Sequence, residues 1–119
     1  MDSRKQTGQQ GEDIAAGYFI ERGFHILDRN WRCPTGELDI VMEQGDILIF
    51  VEVRTRRGQR YGTAEESITP GKQARLIELA HSYIQQVQPP HRQWRIDIAA
   101  VRLGHGSPQI NHLENAIGW

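Results

Sequence analysis

The chain has 119 residues, with 14 Lys and Arg against 15 Asp and Glu and a formal net charge of −1 at pH 7. That length builds one domain with a core of its own, and the balanced charge excludes a generally basic coat for nucleic acid while leaving room for a local patch. The lone cysteine, Cys33, excludes an intrachain disulfide and a cysteine-based zinc site, and the longest apolar run, Ile47 to Val51, is far too short to span a membrane.

A polar start, with no apolar signal segment, predicts disorder over residues 1–6 and a location in a reducing cytoplasm. From Thr7 to Arg22 the spacing of Ile14, Ala15, Tyr18 and Phe19 predicts a helix, closed by Gly23. A strand opens at Phe24 and continues towards Trp31, before Cys33-Pro34-Thr35-Gly36 breaks the chain. Strands over 37–43 and 46–54 follow, joined by a tight turn, and 55–66 reads as an Arg-rich loop. Thr69 caps a second helix with Pro70 at its first position. Its apolar stripe is Ala74, Ile77, Ala80, Ile84 and Val87, and Pro89-Pro90 stops it. Strands at 94–103 and 109–116 complete an α-β-β-β-α-β order with a short extra strand, which predicts an α/β fold on a mixed sheet.

The hairpin carries the chemistry. A two-residue turn at Gln44-Gly45 places Leu38, Ile40 and Met42 beside Ile47, Ile49 and Val51 on one wholly apolar face. The other face then sets Glu37 opposite Glu52, with Asp39 diagonal to it. Like charges across a sheet repel, and an apolar face adds a desolvation penalty. No Lys or Arg occurs from Cys33 to Val53. Such a cluster suits a hard divalent cation such as Mg²⁺, which takes oxygen ligands. A strand end whose acids are simply hydrated is the alternative.

Asp39 followed thirteen residues later by Glu52-Val53-Arg54 resembles the PD-(D/E)xK nuclease core. The chain as a whole resembles the YraN family of small bacterial endonuclease-like proteins, which are similar to archaeal Holliday junction resolvases in fold. The resemblance runs from residue 8 to 103. It is carried by Gly8, Gly11-Glu12, Ala15-Ala16, Asn30, Arg32, Gly36-Glu37-Leu38-Asp39-Ile40, Phe50 to Arg56, Tyr61-Gly62, Lys72 and Arg95-Ile96-Asp97. It implies a restriction-endonuclease-like core, a mixed central β-sheet flanked by helices, as a single domain over 7–119.

The resemblance further implies a Mg²⁺- or Mn²⁺-dependent endonuclease acting on DNA, branched or single-stranded, with no small-molecule cofactor and no membrane. Asp39, Glu52 and the Val53 carbonyl would hold the metal. Glu12 would approach from the first helix, unless it is an ordinary exposed first-turn glutamate. Glu37 would serve a second ion or support the first, or pair with an arginine. Arg54 stands where the superfamily has lysine. It keeps the charge and can clamp a phosphate, but it cannot act as a base. The alternative is therefore a nuclease-fold module that binds nucleic acid with little or no catalysis. A homodimer is compatible with the resolvase likeness.

Four arginines, Arg54, Arg56, Arg57 and Arg60, fall within seven residues, next to Tyr61. They read as a phosphate-tracking patch with a ring for an unpaired base, against the plain reading of a solvated charged loop. Lys72 reads as a phosphate contact or a solvated helical lysine, with catalysis a further reading. Asp97 alternates with apolar Ile96 and Ile98 and shares a face with Arg95, which predicts a structural ion pair. The five histidines show no ligand spacing and read as surface or strand-edge residues. Trp31, Trp94 and Trp119 read as packing residues.

Overall fold

The computed structural model describes residues 3–58 and 68–117. The elements are α1 (Ser3–Glu21), β1 (His25–Cys33), β2 (Gly36–Gln44), β3 (Ile47–Arg57), α2 (Pro70–Val87), β4 (Gln93–Leu103) and β5 (Gln109–Leu113). The five strands form one sheet in the order β1-β2-β3-β4-β5. All neighbours are antiparallel except β3 and β4, which run parallel. A parallel pair needs a crossover connection, and α2 lies within it. The fold is thus α/β with a mixed sheet, consistent with a nuclease-like core.

Each helix covers one face of the sheet. Ala15, Ala16 and Phe19 of α1 pack on Ile40, Met42, Ile49, Val51, Ala99 and Val101. Leu76, Leu79, Ala80 and Tyr83 of α2 pack on Leu38, Val41, Leu48, Phe50 and Ile96. Phe50 sits between Tyr83 and Trp94 in edge-on ring contacts at 5.5 and 5.7 Å, and Trp31 meets Tyr83 at 5.2 Å. Full burial of side chains this size contributes on the order of 1.5–3 kcal/mol each, so the two layers supply the main stabilisation. Trp31 and Trp94 are packing residues, as expected; Trp119, Arg60 and Tyr61 lie outside the described residues.

Several expected boundaries shift. Helix α1 starts at Ser3 rather than Thr7. It ends as expected, with Gly23 at φ 88°. The α2 stripe is centred on Leu76, Leu79, Ala80 and Tyr83, while Ala74 is exposed and Val87 is 46% exposed. The Thr69 cap is present, its Oγ1 accepting from the Lys72 N–H at 3.2 Å. Strand β3 runs on through Thr55, Arg56 and Arg57, which pair with Val101, Arg102 and Leu103 of β4. The arginines expected on a loop therefore begin on a strand. Strand β1 continues to Cys33, and β5 stops at Leu113.

The β2–β3 register differs by two residues from the expected one. Ile40 pairs with Val51 and Gln44 with Ile47, around a turn at Gly45-Asp46. Gly45 takes φ 60°, which glycine adopts without steric cost. A shift of two preserves which face each residue occupies, so most of the apolar sorting survives. Leu38 is the exception. It lies under α2, whereas Ile40 and Met42 lie under α1. The alternation breaks at Asp39, beside Asn30 of β1, which stands at φ 53°.

Two histidines, His91 and His112, are largely withdrawn from the surface, while His25 is exposed. His91 is 8% exposed in its side chain and its Nε2 meets Glu43 Oε1 at 2.6 Å; His25 meets the other Glu43 oxygen at 2.7 Å. The pair of imidazoles, His25 first, draws the Glu43 pKa down. His112 Nε2 meets Asp97 Oδ2 at 2.7 Å. Asp97 is fully buried. It also accepts from Arg95 Nε at 3.0 Å and from the Asn115 N–H at 2.8 Å, so the expected ion pair with Arg95 is the centre of a larger network.

Candidate metal centre and its cationic rim

The site lies where the β2–β3 ladder ends. Beyond the Ile40–Val51 pair, the next residues are Asp39 and Glu52, whose side chains hydrogen-bond to each other. The Val53 N–H donates to Asp39 Oδ2 at 2.8 Å instead of continuing the ladder. Glu12 reaches in from the middle of α1. It is 7% exposed, so the first-turn surface reading does not hold, because the helix begins nine residues before it. One carboxylate oxygen each from Glu12, Glu37 and Asp39 lie within 4.8 Å of one another. The structure thus gathers Glu12, Glu37 and Asp39, and attaches Glu52 through Asp39. It does not set Glu37 opposite Glu52.

Strand β1 holds this group together. Asn30 Nδ2 donates to Glu12 Oε2 at 3.0 Å and to Glu37 Oε1 at 3.1 Å. Arg29 Nη2 reaches Glu12 Oε1 at 3.1 Å and Asp13 Oδ1 at 2.6 Å. Arg32 Nε reaches Glu37 Oε2 at 2.9 Å. The counter-charge missing from 33–53 is supplied by β1. Arg29 was not singled out by the sequence at all. Its signal was weak: a basic residue beside an asparagine, in a segment whose apolar neighbours read as plain strand.

The electrostatics disfavour charge on two of these acids, Asp39 and Glu12. Burial raises the Asp39 pKa, and the hydrogen bond and charge of Glu52 raise it further against the opposing Val53 N–H. Burial also raises the Glu12 pKa, with the Asp39 charge adding to it and Asn30 and Arg29 opposing. Two carboxylates in contact share a proton when no cation replaces it. The donor set is all oxygen and acidic, which fits Mg²⁺ or Mn²⁺.

A cationic rim surrounds the acids. Arg54 Nη1 lies 3.8 Å from Glu52 Oε2. A groove of about 530 Å³ joins Glu37 and Glu52 to Lys72 and Arg75 at the start of α2. A second groove of about 550 Å³ runs along Val53–Arg57 beside Arg4 and Thr7 of α1. Within it Arg57 is tied to α1, donating to Thr7 Oγ1 at 3.1 Å and Gln10 Oε1 at 3.0 Å, and Arg56 donates to the Thr55 carbonyl at 3.4 Å. Arg75 is a rim residue that the sequence pattern did not single out.

Helix α1 can bring Glu12 in only because Gly11 precedes it. A Cβ built on Gly11 would sit 1.9 Å from Thr55 Oγ1 and 2.8 Å from Thr55 Cβ. Gly11→Ala is expected to lift α1 off β3 and displace Glu12, costing about 1–3 kcal/mol as overpacking does. Chemical denaturation checks this. Gly11→Ala combined with Thr55→Gly should recover most of the loss, whereas simple additivity of the two changes would rule out the contact as the cause.

The model of the Uncharacterised protein family UPF0102 matches residues 11–101. The chain belongs to the UPF0102 family. This is the YraN family that the ordered motifs resemble, and the match covers nearly the same stretch. A UPF0102 protein of Rhodococcus opacus is 46% identical over 110 residues, spanning 92% of this chain and 93% of its own. One from Dehalococcoides mccartyi is 44% identical over 116 residues, spanning 98% and 96%. One from Pelotomaculum thermopropionicum is 44% identical over 117 residues, spanning 97% and 98%. All six residues of the acid group and its nearest rim, Glu12, Asn30, Glu37, Asp39, Glu52 and Arg54, fall inside the UPF0102 match. Membership places the chain in a family, and the reaction resides in the site's own residues. Among the described residues, no helix is long and apolar enough to cross a membrane.

Proposed function

We propose that this UPF0102 protein is a Mg²⁺- or Mn²⁺-dependent endonuclease that hydrolyses phosphodiester bonds in DNA, branched or single-stranded, in the cytoplasm. The observation that carries this reading is the convergence of Glu12, Glu37 and Asp39 within 4.8 Å, beside a groove that carries Lys72 and Arg75. Carboxylates alone suit a cation, and cations alone suit a phosphate. Both together address one phosphodiester.

Asp39, Glu12 and Glu37 would hold the ion, with Glu52 and the Val53 carbonyl beside them. The ion, when bound, supplies positive charge to the phosphoryl oxygens and acidifies an attacking water. The chain's own residues do the rest. Arg54 presents a planar guanidinium that can take two phosphate oxygens at once. Lys72 and Arg75 would fix the strand beside the cleaved bond as point and fork charges. Arg56 lines the second groove and would track the backbone further along, with Arg60 and Tyr61 as proposed contacts beyond it. A second copy of the chain would extend this surface in a homodimer.

Purified protein should cleave a panel of junctions, flaps and single strands with Mg²⁺ or Mn²⁺. Glu52→Gln should abolish that; cleavage persisting in this variant and in Asp39→Asn would show a contaminant and sink the assignment. A second reading has its own support, since Arg54 faces Glu52 where a base would be useful and cannot accept a proton. It is a binding module with weak chemistry. Arg54→Lys separates the two: a gain of tenfold or more would mark arginine as the limit on catalysis, on the order of 1.4 kcal/mol in the barrier.

A further inference from the structure

Asn30 stands at φ 53° inside β1. This left-handed backbone is uncommon for any residue but glycine, and asparagine is among the few that adopt it. A strand has no need of it. What the conformation produces is a side chain that touches two carboxylates on two different elements. Its amide nitrogen donates to Glu12 Oε2 on α1 and to Glu37 Oε1 on β2. Arg29 and Arg32 take the remaining oxygens, Glu12 Oε1 and Glu37 Oε2. Each carboxylate oxygen has two acceptor directions, so one on each stays available to face Asp39.

The amide suits this place better than a further cation would. It offers two N–H bonds to two acids and adds no charge. It can therefore order them without competing with a positive ion. Glu12 is otherwise a long, flexible side chain on a helix in another layer, and Glu37 sits near an open strand end.

We infer that Asn30 is a positioning residue for the acidic site: its amide bridges Glu12 and Glu37 and holds both turned towards Asp39, and so sets the affinity for a divalent cation. This rests on the reading of the acid group as a cation site. Residues that hold metal ligands without touching the metal commonly change affinity by about 10–100-fold when removed.

Two variants divide the backbone from the side chain. Asn30→Gly keeps the left-handed backbone without strain and removes only the amide. Asn30→Ala removes the amide and adds strain. Mn²⁺ binding to the full chain, read by electron paramagnetic resonance and by calorimetry, is compared with thermal unfolding in the absence of metal. Both variants are expected to bind Mn²⁺ about 10–100-fold more weakly than the native chain; both melt lower for loss of the amide's two hydrogen bonds, and Asn30→Ala melts lower still because of its backbone strain. Native-like Mn²⁺ affinity in Asn30→Gly, with or without a loss in Asn30→Ala, overturns the inference and leaves the cation site standing. Absence of Mn²⁺ binding by the native chain overturns the cation site itself, and this inference with it.

Discussion

Asp39→Asn is expected to make the metal-free protein more stable at neutral and alkaline pH while removing its response to divalent ions. The asparagine reproduces the protonated acid. Its Oδ1 still accepts from the Val53 N–H, and its Nδ2 donates to Glu52 in place of the shared proton. The folded-state pKa of Asp39 lies above its ordinary value of 3.8, chiefly through burial. The native state therefore keeps a proton that the unfolded chain releases. Its contribution to stability is complete below 3.8 and is lost as pH rises through the raised value. The variant lacks this loss. The gain is expected to grow towards the alkaline side, as the native carboxylate ionises through about 8, one pKa unit being worth about 1.4 kcal/mol. The native chain should in turn gain about 2.7 kcal/mol from Mn²⁺ at one hundred times its dissociation constant, a rise of roughly 10 °C or more. Thermal melts across pH, with and without Mn²⁺, check both. A variant less stable than the native chain at every pH, or one still stabilised by Mn²⁺, would contradict the shared-proton account.

Asp97→Ala should be the most destabilising single change away from the site. It strips partners from Arg95, His112 and the Asn115 N–H at once. Removing one side of a buried charged network costs about 3–5 kcal/mol. Two of those partners belong to β5 and the segment after it, so Asp97 adds a side-chain tie to the backbone ladder that joins the edge strand to β4. Faster hydrogen exchange concentrated in Gln109–Leu113 is the expected signature. Asp97 itself titrates below its ordinary 3.8: burial opposes this, and His112, the Asn115 N–H and Arg95 together outweigh it. Its stabilisation is present above 3.8 and is lost as pH falls through the lowered value. Asp97→Asn should therefore flatten the acid limb of the stability profile, whereas Asp39→Asn flattens the alkaline limb. Uniform exchange across the sheet in Asp97→Ala would show that the network is not a local staple.

The hairpin shows how much of this was legible in the chain. Alternation alone sorts residues to faces, and it does so for any turn that shifts the register by two. It placed Ile40, Met42, Ile49 and Val51 together correctly, yet it could not choose between turns at Gln44-Gly45 and Gly45-Asp46. That choice decides whether Glu37 or Asp39 meets Glu52. Helix ends were legible because Thr69, Pro70 and Gly23 act locally through their own backbone. The break at Asp39 was not, because it depends on Asn30 across the sheet. Nor were Arg29 and Arg32 as partners of Glu12 and Glu37, since those contacts join α1, β1 and β2 only once the layers pack. The extension of β3 through Arg57 was hidden for the same reason. A polar strand end with a parallel neighbour looks like a loop when read alone.

The charge balance of −1 conceals a spatial pattern: acids gathered at the start of β2, the middle of β3 and the middle of α1, held by Arg29 and Arg32 of β1, with further cations along β3 and the start of α2. Anomalous diffraction from crystals grown with Mn²⁺ tests that pattern most directly. A manganese peak among the carboxylates of Glu12, Glu37 and Asp39 is the expected result, and it should vanish in Asp39→Asn. Well-ordered carboxylates with no manganese between them at saturating Mn²⁺, or a peak that persists in that variant, would contradict a metal-dependent site at this place.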